Sequence, residues 1–203
     1  MTRMDNVWET VDLFENIIAE YAGCKYAIAT DSCTHSLFLS LKYLNASDTI
    51  TVPRHTYVSV PAMCINAGCT VEFKDITWTG IYKLKPYPVI DSAVRFTENM
   101  YCPGHLQCLS FGYKKPVPIG KGGMILTDDE DAMLWLKKAR FVGRDTLKYN
   151  DIKDVTVLGW MMNMTPEQAA RGVELFYRLP KSNPDFAGNT DYKIDLSQLT
   201  AFK

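Results

Sequence analysis

Apolar residues recur along this chain at two spacings, and the alternation between them marks out the elements. Over residues 7–22, Val7, Val11, Phe14, Ile18 and Tyr21 fall on one helical face, and Gly23 is a natural stop. Tyr26 to Thr30 is a short apolar run of the kind a buried strand needs. Asp31 to Thr34 predicts a turn, in which Ser32 or Thr34 can cap the next helix. Leu37, Leu41 and Leu44 mark that helix, which ends near Asn45. Thr49 to Pro53 predicts a second strand, residues 57–67 a helix stopped by Gly68, and Thr70 to Phe73 a third strand. This β-α-β-α-β alternation predicts an α/β domain: a parallel sheet with covering helices.

After Asp75 the texture changes. Residues 77–88 hold prolines, tyrosines and a tryptophan with no clear period, and predict a connector. Short apolar runs near 87–90, 106–111 and 123–127 predict three more strands. Asp128 to Asp131 opens a helix reaching about Arg140, acidic at its start as the helix dipole prefers. Thr165, Pro166 and the Glu167-Gln168 pair open another, which should end near Leu179 and Pro180. From 181 to 203 the apolar residues are scattered, so the organisation expected is one domain over 1–180 and a C-terminal tail over 181–203. There is no internal repeat.

Composition narrows the function classes. A chain of 203 residues, 47% hydrophobic and 12% aromatic, is long enough for one cored domain. The net charge is −1 with no long basic run, so neither nucleic acid nor an anionic membrane is an expected partner. No apolar stretch approaches the roughly 18 residues that a bilayer span requires. The first residues lead into an acidic amphipathic segment and do not read as a signal sequence. Cys24, Cys33, Cys64, Cys69, Cys102 and Cys108 lie largely in apolar runs, which suits free thiols in a reducing, cytoplasmic setting. Cys102, His105 and Cys108 have a spacing that could suit zinc, but Cys108 falls in a predicted strand and no fourth ligand is near.

The chemistry-bearing feature is a lysine pair. The strand at 106–111 runs into Gly112, Tyr113, Lys114 and Lys115, and a glycine pair, Gly122-Gly123, precedes the next strand. Upstream, the strand at 87–90 ends in Asp91. A lysine able to form a Schiff base, with an aspartate for a pyridinium nitrogen, is the pairing that pyridoxal phosphate requires.

Four blocks in this order resemble the DegT/DnrJ/EryC1/StrS family of sugar aminotransferases: Ala29 to Thr34, Val52 to Tyr57, Ile90 to Ala93, and Ser110 to Lys115 followed by Gly122 to Thr127. The resemblance runs from about residue 10 to residue 178. It implies a reduced form of the fold-type I aminotransferase large domain, three-layered with a mainly parallel sheet. It implies a pyridoxal 5′-phosphate-dependent aminotransferase that passes an amino group from a donor such as glutamate to a nucleotide-linked keto sugar. It also implies a homodimer, which the apolar run Trp160 to Met162 would suit. By the same resemblance, Lys115 stands where the family has its Schiff-base lysine, with Lys114 as the neighbouring alternative. Asp91 stands where a carboxylate holds the pyridine nitrogen protonated. Tyr57 stands at the ring-stacking position, Ser110 at a phosphate-binding hydroxyl, and Cys33 and Thr34 at a Gly-Thr step whose amides reach the phosphate. Catalytic roles fall to Lys115 and Asp91.

The chain also departs from the family pattern. Val94 replaces a Gln or His, Gly112 a His, and Cys33 a glycine. Met161 stands where an asparagine reaches the partner subunit's phosphate, and Asn163 lies two residues on. The connector between Asp75 and Asp91 is short, where the family inserts further sheet and helix. These departures motivate an alternative: a non-catalytic relative that binds a phosphate ligand or a partner protein.

Overall fold

The computed structural model describes residues 6–144, 150, 152, 154–180 and 183–203. Among these residues, five α-helices and seven strands succeed one another: α1 (Glu9–Ala22), β1 (Tyr26–Thr30), α2 (Cys33–Tyr43), β2 (Thr49–Pro53), α3 (Ser59–Ala67), β3 (Thr70–Lys74), β4 (Tyr82–Lys83), β5 (Val89–Asp91), β6 (Leu106–Ser110), β7 (Gly123–Thr127), α4 (Glu130–Ala139) and α5 (Pro166–Phe176). Local chemistry explains several boundaries. Ser32 caps α2 by accepting from the amide of His35, and Asp129 caps α4 through Ala132. Thr165 and Gln168 form a reciprocal capping box at α5, with Pro166 in its first turn.

The fold is α/β in three layers. Period-two alternation sends strand side chains to opposite faces. Ile28, Cys108 and Ile125 pack under α2, α3 and α4. Ala27, Ala29, Leu109, Met124 and Leu126 pack under α1 and α5. The expectation of a mainly parallel sheet needs refining, because the central sheet is mixed, in the order β1-β7-β6-β5-β4. Strands β5 and β6 pair in parallel, while β7 runs antiparallel to both β6 and β1. Hence β1, β5 and β6 share one direction. The short return from β6 to β7 reverses the chain without a crossover helix, and parallel pairing needs such a crossover. Only β2-α3-β3 forms the expected parallel unit, and it makes a separate two-stranded sheet. Across the seam, the amide of Thr51 donates to the carbonyl of Lys85 at 2.9 Å.

The segment expected as a tail lies along the domain over its described residues. Asp185 takes two hydrogen bonds from Arg95, Tyr192 packs on Trp78, and Phe202 packs on Phe73. Leu196 is buried. No helix among the described residues is long and apolar enough to cross a membrane. All six cysteines are free, and no group of three or more His, Cys, Asp and Glu among the described residues could hold a metal ion.

Candidate cofactor site

Since β1, β5 and β6 run the same way, their carboxyl ends meet at one edge of the sheet. Asp31 comes just after β1, Asp91 closes β5 and Ser110 closes β6. Gly123, the first residue of β7, lies opposite both Thr30 and Ser110 in register. Ligands of open α/β sheets sit beyond strand carboxyl ends. A cavity of about 640 Å³ opens at this edge, within the usual range of small-molecule sites. Cys33, Thr34, Tyr57, Asp91, Ser110 and Lys115 all line it. Tyr57 arrives from the loop beyond β2, so both sheets contribute walls.

Asp91 is buried at the floor. Its Oδ2 accepts from the Tyr82 hydroxyl at 2.6 Å, and its Oδ1 from the amide of Ala93 at 2.9 Å. Behind Tyr82 stands Thr56, whose Oγ1 lies 2.6 Å from the phenol oxygen. Burial raises the carboxyl's pKa, while the hydrogen bonds from Tyr82 and Ala93 and the charge of Lys115 pull it down; the net shift is upward. Each carboxylate oxygen has a second lone-pair site, so the group can still accept a cationic N–H. A ring N–H⁺ would give this buried carboxylate the counter-charge that two neutral donors do not.

Lys115 is half-buried and Lys114 is exposed, though both line the cavity. Burial lowers the pKa of Lys115, against the raising fields of Cys33 and Asp91. The Lys115 ammonium lies 5.2 Å from the ring centroid of Phe186, whereas that of Lys114 lies over Tyr113. The structure thus separates two lysines that are adjacent in sequence: one is drawn inward toward the carboxylate, the other sits outside.

At the other pole, the first turn of α2 presents its amides to the cavity. Ser32 satisfies the amide of His35, and the amides of Cys33 and Thr34 belong to the turn that has no intrahelical partner. Such a turn attracts anions. Thr34 Oγ1 and Ser59 Oγ lie 2.9 Å apart, and the Ser110 hydroxyl accepts from the amide of Gly112 at 3.4 Å. The arrangement depends on Gly123, since a Cβ there would lie 2.3 Å from the carbonyl carbon of Ser32 and 2.4 Å from the nitrogen of Cys33. Cys33 itself is buried, its thiol directed to the carbonyl of Cys108 and its pKa pushed up by burial. A phosphate pole, a buried carboxylate and an amine across one cavity make a donor set that fits pyridoxal phosphate.

Sequence reasoning missed several residues that build the site: Thr56, Phe186 and Tyr192 in the cavity lining, and Tyr82 behind it on Asp91. Thr56 lies within the Val52 to Tyr57 block but carries no motif signal of its own. Tyr82 lay in the stretch read as a connector, where its aromatic character was visible but its strand was not. Phe186 and Tyr192 lay in the stretch read as a tail, whose apolar residues show no period. Val94 is buried and lines the cavity. Met161 is 66% exposed, and the side-chain amide of Asn163 is turned to the carbonyl of Met164.

Comparison with known proteins bears on the family and the fold. The profile of the DegT/DnrJ/EryC1/StrS aminotransferase family matches residues 3–87 and 102–186. The spore coat polysaccharide biosynthesis protein SpsC of Bacillus subtilis is 26% identical over 220 residues, covering 83% of this chain and 57% of that protein. Among solved structures, the aminotransferase from Psychrobacter cryohalolentis superposes with a TM-score of 0.66 at 22% identity, over 84% of this chain and 57% of that one. PseC of Helicobacter pylori, an aminotransferase of pseudoaminic acid biosynthesis, superposes with a TM-score of 0.65 at 17% identity, over 85% and 61%. At these identities the structural likeness shows the fold alone. The chain spans a little over half the length of the relatives it matches.

Proposed function

We propose, from the premise that this chain belongs to the DegT/DnrJ/EryC1/StrS aminotransferase family, that it binds pyridoxal 5′-phosphate through Lys115 and transfers an amino group to a nucleotide-linked keto sugar. The amino donor would be a small amino acid such as glutamate, and the working unit a homodimer in the cytoplasm. The observation that carries this reading is the convergence of Lys115, Asp91 and the α2 N-terminus on one cavity.

Pyridoxal phosphate is the family's cofactor, and when bound it supplies an electron sink for charge developing at the substrate's Cα. The protein's own part would fall to the residues around the cavity. Asp91 would hold the proton on the pyridine nitrogen, its carboxylate oriented by Tyr82 and Thr56. Tyr57 would flank the ring. The amides of Cys33 and Thr34 with the Thr34 and Ser110 hydroxyls would hold the phosphate. Lys115 Nζ would be the base that moves a proton from and to the substrate carbon bearing the amino group. Its lowered pKa suits this, because a neutral amine is the form able to accept.

Lysine-bound pyridoxal phosphate absorbs in the visible, and borohydride fixes it to the residue that holds it. The wild-type protein should gain visible absorption on adding the cofactor, with the reduced label on Lys115. Lys115→Ala should lose the band and Lys114→Ala should keep it. A label on Lys114 would move the assignment by one residue. A second reading has its own support: Val94 gives the cavity an apolar wall where the family pattern has Gln or His, and Met161 offers no N–H or O–H donor. A protein without a band at any cofactor concentration would be the non-catalytic relative.

A further inference from the structure

Residues beyond 186 fall outside the family match, yet they form part of the cavity. Phe186, Ala187, Asp191 and Tyr192 line it from outside the sheet. The segment is tied down at three places. At one end Asp185 accepts from Arg95 Nε at 2.8 Å and Nη2 at 2.6 Å. Gly80 makes room for that contact, since a Cβ there would lie 2.2 Å from Asp185 Oδ2. In the middle, the amide of Gly80 donates to the carbonyl of Ala187 at 3.1 Å, and Trp78 and Asn189 exchange bonds at 3.1 and 3.2 Å. At the far end, His55 Nδ1 donates to the carbonyl of Tyr192 at 3.0 Å, and the amide of Leu196 to the carbonyl of Arg54 at 3.0 Å. Between the ties two aromatic rings line the cavity, Phe186 at 44% exposure and Tyr192 more deeply set. Phe186 sits over the Lys115 ammonium. Tyr192 packs at a tilt on Trp78, and the pKa of its hydroxyl is pushed up to about 12 by burial and by the fields of Asp91 and Asp191.

We propose that residues 185–195 form a strap across the mouth of the cavity, clasped by Arg95, and that Phe186 is a positioning residue that shields and orients the Lys115 amine. The proposal rests on the reading of Lys115 as the reacting amine. The physical case is that an amine beside a buried carboxylate collapses onto it or turns to water unless something covers it. The Phe186 ring supplies an apolar and weakly cation-attracting surface. Because the clasp is a bidentate Arg–carboxylate pair away from the cavity lining, the cover can be released without touching the site.

Acetylation by N-hydroxysuccinimidyl acetate, followed residue by residue by mass spectrometry, tests this with Lys114 as internal control. In the wild-type protein Lys114 should react ~10-fold faster than Lys115, the protection a locally closed segment gives. Arg95→Met and Phe186→Ala should each raise the Lys115 rate ~5-fold and leave the Lys114 rate within ~2-fold, while Phe186→Leu, which keeps an apolar cover, retains the protection. A Lys115 rate that is the same in wild type, Arg95→Met and Phe186→Ala overturns the strap. Visible absorption with added pyridoxal phosphate is read on the same samples. A strap effect without a band overturns the proposed function and leaves the strap standing; a band without a strap effect does the reverse.

Discussion

At the scale of single residues, Asp91 sets function against stability. Its folded pKa is raised above the ordinary 3.8. The folded protein therefore holds that proton to higher pH than the unfolded chain does. The associated stability is full below the unfolded value and is lost as pH rises through the raised folded one. At neutral pH, in cofactor-free protein, the upward shift is a net cost to folding. Asp91→Asn removes that cost, and the hydroxyl chain can adapt: the new amide donates to Tyr82, which donates to Thr56. We expect the cofactor-free variant to melt about 2–4 °C higher at pH 7, the scale of ~1 kcal/mol in a domain of this size. Transamination should meanwhile fall by about 100-fold or more, as expected when a preorganised charge is removed. Differential scanning calorimetry and steady-state rates on the same preparation check both arms; a lower melting temperature would refute the account. The six candidate residues line one cavity; Asp91 and the lysine pair stood out locally, just past apolar runs, whereas Cys33, Thr34, Tyr57 and Ser110 were picked out by the family resemblance alone. Phe186 was not, because what brings it to Lys115 is a set of long-range ties to Arg95, Trp78 and His55 that leave no local pattern.

Among elements, the junction of α1, α4 and β1 is held by a buried charge cluster. Arg140, at the end of α4, donates to Glu15 Oε1 and to the carbonyl of Ala29. Glu15 Oε1 also accepts from the amide of Ala29 at 2.8 Å, and Lys137 reaches its Oε2 at 3.0 Å. Both Glu15 and Arg140 are buried. Removing one partner of a buried pair leaves the other uncompensated. Arg140→Met should therefore destabilise the domain by about 3 kcal/mol in urea unfolding. A loss under ~1 kcal/mol would place the pair among ordinary surface bridges. Element boundaries were largely readable from periodicity and caps: the ranges expected for β1, β2 and β7 match those observed, and Ser32, Thr165 and the acidic start of α4 act as their residue types imply. Strand partners were not readable. An apolar run such as Met124 to Thr127 specifies burial on both faces but carries nothing about direction, so the antiparallel placement of β7 between β1 and β6 emerges only in three dimensions.

For the whole molecule, assembly and cofactor retention belong together. Met161 is exposed beside Trp160 and Leu158, an apolar surface that suits a second copy of the chain. Light scattering at high protein concentration should give a two-fold assembly, and a monomer there would count against it. Because the Met161 side chain carries no donor, retention of pyridoxal phosphate should be weak, with most of it lost on extensive dialysis; stoichiometric retention would contradict this. The seam between the two sheets adds a kinetic corollary. On one side lie Asp91, Ser110 and Lys115, anchored in the five-stranded sheet; on the other lies Tyr57, carried by β2 and the start of α3. The boundary is bridged by the Thr51–Lys85 bond and by the contact of Thr56 with the Tyr82 hydroxyl, far fewer ties than a full strand ladder, which makes it a line of local opening. The β2-α3-β3 unit should thus exchange its amide hydrogens as one block, sooner than β5, β6 and β7. Each opening would withdraw the Tyr57 ring from the cofactor's face while the lysine and the carboxylate stay in place, so the stacking wall can breathe on a clock of its own.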